Sequence, residues 1–197
     1  MAKSSQELNG ILNRVLQRAL SQTLSSCAPN HEWQYRPVED IEQITHKQSV
    51  VLTIASFRFR VMALMHLTLD PGTREFIALN LGSKPEDLDE SQYQDYLLEL
   101  ANQFCGHLKR NLQNSCPPLG MSTPNLLDRS CLVFDDIIEF AYNVHTAALV
   151  DYGSTPIFVA SALVSLQGNH DLHLENFAEL DQEMREEFDN SGALELF

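Results

Sequence analysis

The stretch from Ser91 to Asn114 leaves this chain little freedom: it has to be one long amphipathic helix. With about 100° between successive residues, Tyr93, Leu97, Leu100, Ala101, Phe104, Leu108 and Leu112 gather on one side. Pro117-Pro118 ends the helix, because proline lacks the N–H that a further turn requires. An apolar stripe of that length must be covered by another layer. A second helix is predicted over Ser5 to about Cys27. There Leu8, Ile11, Leu12, Val15, Leu16, Ala19, Leu20 and Leu24 repeat at the same spacing before Pro29.

Elsewhere the pattern becomes that of strands. Gln48 to Phe59 and Val61 to Leu69 are rich in Val, Ile, Thr, Phe and Leu, and predict an antiparallel pair turning near Arg58 to Arg60. Asp70-Pro71-Gly72 starts a short helix, with a capping residue followed by Pro at the first position, and Gly82 ends it. Gly120 to Asp128 reads as irregular. Ile137 to Tyr152 and Pro156 to Gln167 predict two more strands, joined through Tyr152-Gly153-Ser154-Thr155-Pro156. The expected class is α+β, a layered fold of antiparallel strands packed against long helices. Residues 1–168 form the expected domain. Residues 169–197 form an acidic amphipathic extension, with Leu172, Leu174, Phe177, Leu180, Met184 and Phe188 at helical spacing.

Charge narrows the partners. The 197 residues carry a formal net charge of −14 with only 13 Lys and Arg, so nucleic acid and anionic membrane surfaces are excluded as main partners. From Asp171 onward there are nine acidic residues and one basic residue, Arg185. The four cysteines, Cys27, Cys105, Cys116 and Cys131, form no C-x-x-C pair and read as reduced thiols of a cytoplasmic protein. The first twelve residues lack the apolar core of a secretory signal, and no run of about 18 apolar residues spans a membrane.

Chemistry concentrates on the polar side of the long helix. Asp95, Glu99, Asn102 and Gly106 fall within about 60° of one another, opposite the apolar stripe. A Gly inside a helix costs about 1 kcal/mol relative to Ala. One use for it on an outward face is to let another surface approach the backbone. A plain solvated face has the same composition, and the pattern alone favours that simpler account.

Glu99-Leu100-Ala101-Asn102, with Gly106 four positions after the Asn, resembles the E-x-x-N signature of the CheC/CheX/FliY family of chemotaxis phosphatases. The order of elements from Gln48 to Gln167 is similar to that family's as well. The first helix offers Glu7-Leu8-Asn9-Gly10, with its Asn one residue early, so the chain resembles single-site CheX, and with it a homodimer. The resemblance implies a CheC-like fold and a phosphatase acting on the aspartyl phosphate of a CheY-like response regulator. It implies that Glu99 and Asn102 are catalytic and that Asp95 and Gly106 serve docking. It further implies no cofactor of the chain's own, because the partner receiver domain holds the Mg²⁺.

Other readings compete. A non-catalytic interaction module in a signalling or flagellar switch assembly would use the same fold. Glu99 and Asn102 both exposed and unpaired would favour catalysis, whereas burial of either under the acidic C-terminal helix would favour an inert or autoinhibited domain. His170 and His173 have a helical spacing compatible with a metal, yet further ligands are not evident. Asp135-Asp136 with Glu139 reads as a loop before a strand, and Cys105 as a packing residue.

Overall fold

The computed structural model describes residues 5–113, 118–132, 139–150 and 156–168. The first helix, α1, runs over Ser5–Cys27. Strand β1 (Trp33–Val38) leads to β2 (Gln48–Ala55) and β3 (Phe59–Leu67). Two helices follow, α2 (Pro71–Asn80) and α3 (Glu90–Gln113). Short strands β4 (Gly120–Met121) and β5 (Asn125–Asp128) precede β6 (Tyr142–Val150) and β7 (Phe158–Leu166).

The strands form one seven-stranded sheet in the order β1-β6-β7-β3-β2, with β4 and β5 both paired to the far edge of β2. Every pairing is antiparallel. Helices α1 and α3 lie side by side over one face. They run antiparallel, since Cys27 meets Gln103 while Gln22 meets Asn111. Alternation along the strands sends Val50, Leu52 and Ile54, then Phe59, Val61, Ala63 and Met65, then Phe158, Ala160, Ala162 and Val164 into that interface. The helices supply Leu12, Leu16, Leu20, Leu97, Phe104 and Leu108, all buried. Each such side chain contributes about 1.5–3 kcal/mol, which is why α3 cannot rotate its polar face inward.

Four sequence expectations need correction, one being that the strand expected from Ile137 begins only at Tyr142, with residues 139–141 outside any strand. The β2–β3 turn falls at Ser56–Arg58 and not at Arg58–Arg60, because the Ser56 hydroxyl accepts the amides of Arg58 and Phe59 at 3.1 and 3.2 Å. Gly120 to Asp128 is not irregular throughout, since β4 and β5 extend the sheet there. Strand β1 forms over Trp33–Val38, where the local sequence pattern predicts no strand. The predicted hairpin at 152–156, the Asp135-Asp136 pair, the His170/His173 pair, Cys116 and the extension at 169–197 lie largely or wholly outside the described residues.

The opposite face of the sheet carries a buried polar row. Ser49 Oγ lies 2.7 Å from His66 Nδ1, and Ser161 Oγ lies 2.9 Å from His66 Nε2 and 2.7 Å from His145 Nδ1. Burial drives His66 down to about 3, with the charges of Arg129, His46 and His145 adding to it, and burial lowers His145 too. A histidine depressed in the folded state stabilises fully above its unfolded value, and that contribution is lost as pH falls from about 6.5 toward 3. Stability is therefore expected to drop by about 2 kcal/mol between pH 8 and pH 5 from His66 alone. Urea unfolding at the two pH values checks this, and His66→Gln should flatten the difference. Equal wild-type stability at pH 5 and 8 would refute it.

Candidate functional site

Helix α3 is pinned at its start by a reciprocal cap. The Asp89 carboxylate accepts the Gln92 amide at 2.9 Å, and the Gln92 side-chain carbonyl accepts the Asp89 amide at 2.9 Å. Arg74 of α2 pairs with Glu90 at 2.7 Å and lies over the Tyr93 ring at 4.6 Å. Tyr93 in turn donates its hydroxyl to the Pro85 carbonyl at 3.1 Å. The helix is thus fixed in register before its outward face begins.

That face carries the four residues singled out in the sequence. Asp95 and Glu99 are exposed; Asn102 and Gly106 are half-buried. Glu99 and Asn102, three positions apart, are neighbours on adjacent turns. Glu99 Oε1 accepts a hydrogen bond from Gln103 Nε2 at 3.0 Å, so the expectation of two exposed, unpaired side chains is met only in part: Glu99 is exposed but paired, and Asn102 is half-buried. Among the described residues nothing hydrogen-bonds the Asn102 amide. A Cβ built on Gly106 would meet no atom of the described residues within 4 Å apart from the helix's own nearby backbone, so no other element covers that position closely. Charge is divided along the same helix, with Asp95 and Glu99 before Asn102 and Lys109 and Arg110 after it.

The arrangement can hold a small polar group between a fixed carboxylate and an amide able both to donate and to accept. Two neighbours escaped the sequence reading. Gln103 sits four residues after Glu99, a spacing that signals such a pair. Cys27 closes α1, and its thiol donates to Gln103 Oε1 at 3.1 Å, a contact between chain segments that no local pattern announces. Burial, then the nearby Glu99 charge, raises the Cys27 thiol. Cys105 is fully buried, and burial pushes it up to about 12, so it packs and is no nucleophile. Among the described residues no cluster of His, Cys, Asp and Glu is arranged to hold a metal, and no helix is long and apolar enough to cross a membrane.

No protein-family model matches the chain, and no curated protein matches it. Solved structures do. CheX from Vibrio vulnificus superposes with a TM-score of 0.59 at 17% identity, over 79% of this chain and 99% of the other. A CheC-like protein from Shewanella oneidensis gives 0.60 at 13% identity, over 80% and 99%. The fold is that of the CheC-like proteins. CheX in a complex with CheY, beryllium fluoride and Mg²⁺ from Borrelia burgdorferi shares it, with a TM-score of 0.54 at 14% identity over 78% of this chain and 96% of that one. Within this CheC-like fold the expected α+β layering is met, with the antiparallel sheet under the two long helices.

Proposed function

We propose that this chain is a phosphatase that removes the phosphoryl group from the aspartyl phosphate of a CheY-like receiver domain. The observation that carries the reading is the outward face of α3: an exposed Glu99, an Asn102 amide with no partner among the described residues, and a bare Gly106 one turn on. The structural likeness to CheX, including CheX held in a complex with CheY, supports a CheY-like partner.

An aspartyl phosphate is an acyl phosphate and already hydrolyses unaided. The enzyme therefore need only place a water in line with the leaving oxygen. An amide suits that work, because it accepts from and donates to water without changing charge. Asn102 takes this role. Glu99 meets the receiver's lysine through a charge-assisted hydrogen bond and fixes the dock. Asp95 and Gly106 complete the contact surface. The Mg²⁺ belongs to the receiver, and the working unit is a homodimer, which sedimentation analysis tests.

Phosphate loss from phosphorylated receiver domains, followed with and without this protein, is the direct test. Glu99→Ala is expected to weaken docking and slow turnover together, lowering kcat/KM by about 10–100-fold, the scale of one lost charge-assisted contact. Binding of a receiver without any acceleration of phosphate loss would point instead to an interaction module.

A further inference from the structure

We infer that Gln103 is a positioning residue for Glu99, itself oriented by Cys27, so that the end of α1 sets how the α3 site grips its partner. The inference deepens the phosphatase reading and rests on it for the meaning of Glu99.

The chemistry of the relay fixes its direction. The Cys27 thiol donates to Gln103 Oε1 at 3.1 Å, and Gln103 Nε2 donates to Glu99 Oε1 at 3.0 Å. A flipped amide would set its carbonyl against the Glu99 carboxylate and its NH₂ against a sulfur that accepts only weakly. The thiol therefore selects the amide orientation that serves Glu99. With Oε1 engaged, Oε2 of this exposed residue has no hydrogen-bond partner among the described residues and is left for a partner's cation. An untethered exposed Glu samples several rotamers, and a partner must then freeze one of them on binding. Cys27 itself is half-buried at the α1–α3 seam, so it is held by packing as well as by its hydrogen bond.

Steady-state kinetics on a phosphorylated receiver tests the positioning role. Gln103→Ala is expected to raise KM about three- to tenfold with kcat nearly kept, the signature of lost docking order and not of lost chemistry. Cys27→Ala should shift KM in the same direction, and Cys27→Ser, which keeps a donor, should restore it. An unchanged KM in Gln103→Ala overturns the inference, as does Cys27→Ser matching Cys27→Ala.

A second measurement needs no partner. In a Cys116→Ser, Cys131→Ser background, the rate at which an aromatic disulfide reagent modifies Cys27 reports the relay. Gln103→Ala removes the thiol's acceptor and Glu99→Gln removes the charge beside it, and each should speed modification roughly twofold or more. Unchanged rates overturn the relay. Faster rates in a protein that dephosphorylates no receiver would uphold the relay and overturn the phosphatase reading alone. Circular dichroism of each variant confirms that these seam and surface changes leave the fold intact.

Discussion

Asn102→Ala is expected to bind a beryllium fluoride-loaded receiver domain as tightly as wild type while losing about 100-fold in turnover. The magnitude follows from removing one positioned polar group from a reaction that runs on positioning. Docking should survive because Asn102 is half-buried and offers little area, whereas Glu99 and the bare backbone at Gly106 remain. The helix should survive as well, since Ala is the best helix former and no described residue loses a hydrogen bond. Asn102→Asp is a sharper variant. It keeps the shape but replaces the NH₂ donor by a carboxylate beside Glu99, facing a phosphoryl group, and is expected to fall below Asn102→Ala. Phosphate release from a pre-phosphorylated receiver, with affinity measured separately, separates the two effects. An Asn102→Ala protein that turns over at the wild-type rate would remove Asn102 from the chemistry.

The parts of this protein that were legible beforehand are those in which local pattern and tertiary packing agree. The apolar spacing of α1 runs from Ser5 to Cys27, as the helix itself does. The outward grouping of Asp95, Glu99, Asn102 and Gly106 follows from helical geometry alone once the opposite stripe is buried. The short helix α2 shows its start chemically, with Asp70 Oδ1 accepting the Thr73 amide at 2.8 Å, and its end at Gly82, whose φ is +65°.

What stayed hidden lies at edges and contacts. Strand β1 contains Pro37, which argues against a strand unless the strand is an edge. Among the described residues it is one, because β1 pairs with β6 and with no other strand, and an edge strand tolerates a residue that lacks the N–H. Strand β5 is four residues long and lacks an apolar run, so only its pairing with β2 identifies it. The turn after β2 needs no glycine because Ser56 supplies the turn's hydrogen bonds from its side chain. At the site, the spacing shows that Glu99 and Asn102 are neighbours. It cannot show that Asn102 is half-buried, nor that a thiol 76 residues away orients Gln103. Both depend on where α1 lands against α3, which is set by the core and not by the α3 sequence.

Gly106 supplies the second large effect, because it pits stability against function. Among the described residues nothing outside the helix's own nearby backbone lies within 4 Å of a Cβ placed there, and the residue sits well inside α3. Gly106→Ala should therefore stabilise the isolated protein by up to about 1 kcal/mol, raising Tm by about 3 °C. A folded domain that forgoes this gain at an unobstructed position needs another reason for the glycine. Close approach of a partner to the helix backbone is such a reason. Gly106→Trp carries the argument further: its Cβ meets no described atom within 4 Å outside the helix's own nearby backbone, so the fold is expected to persist, yet the indole would stand where the receiver must dock. Its kcat/KM should fall by about 100-fold or more, the scale of overlap with a well-packed interface centre. The pair of variants forms one test, read by thermal unfolding and by phosphate release. A Gly106→Trp protein that folds and still dephosphorylates its receiver at the wild-type rate would show that the partner never approaches this face of α3, and the assignment of Glu99 and Asn102 as the working pair would fall with it.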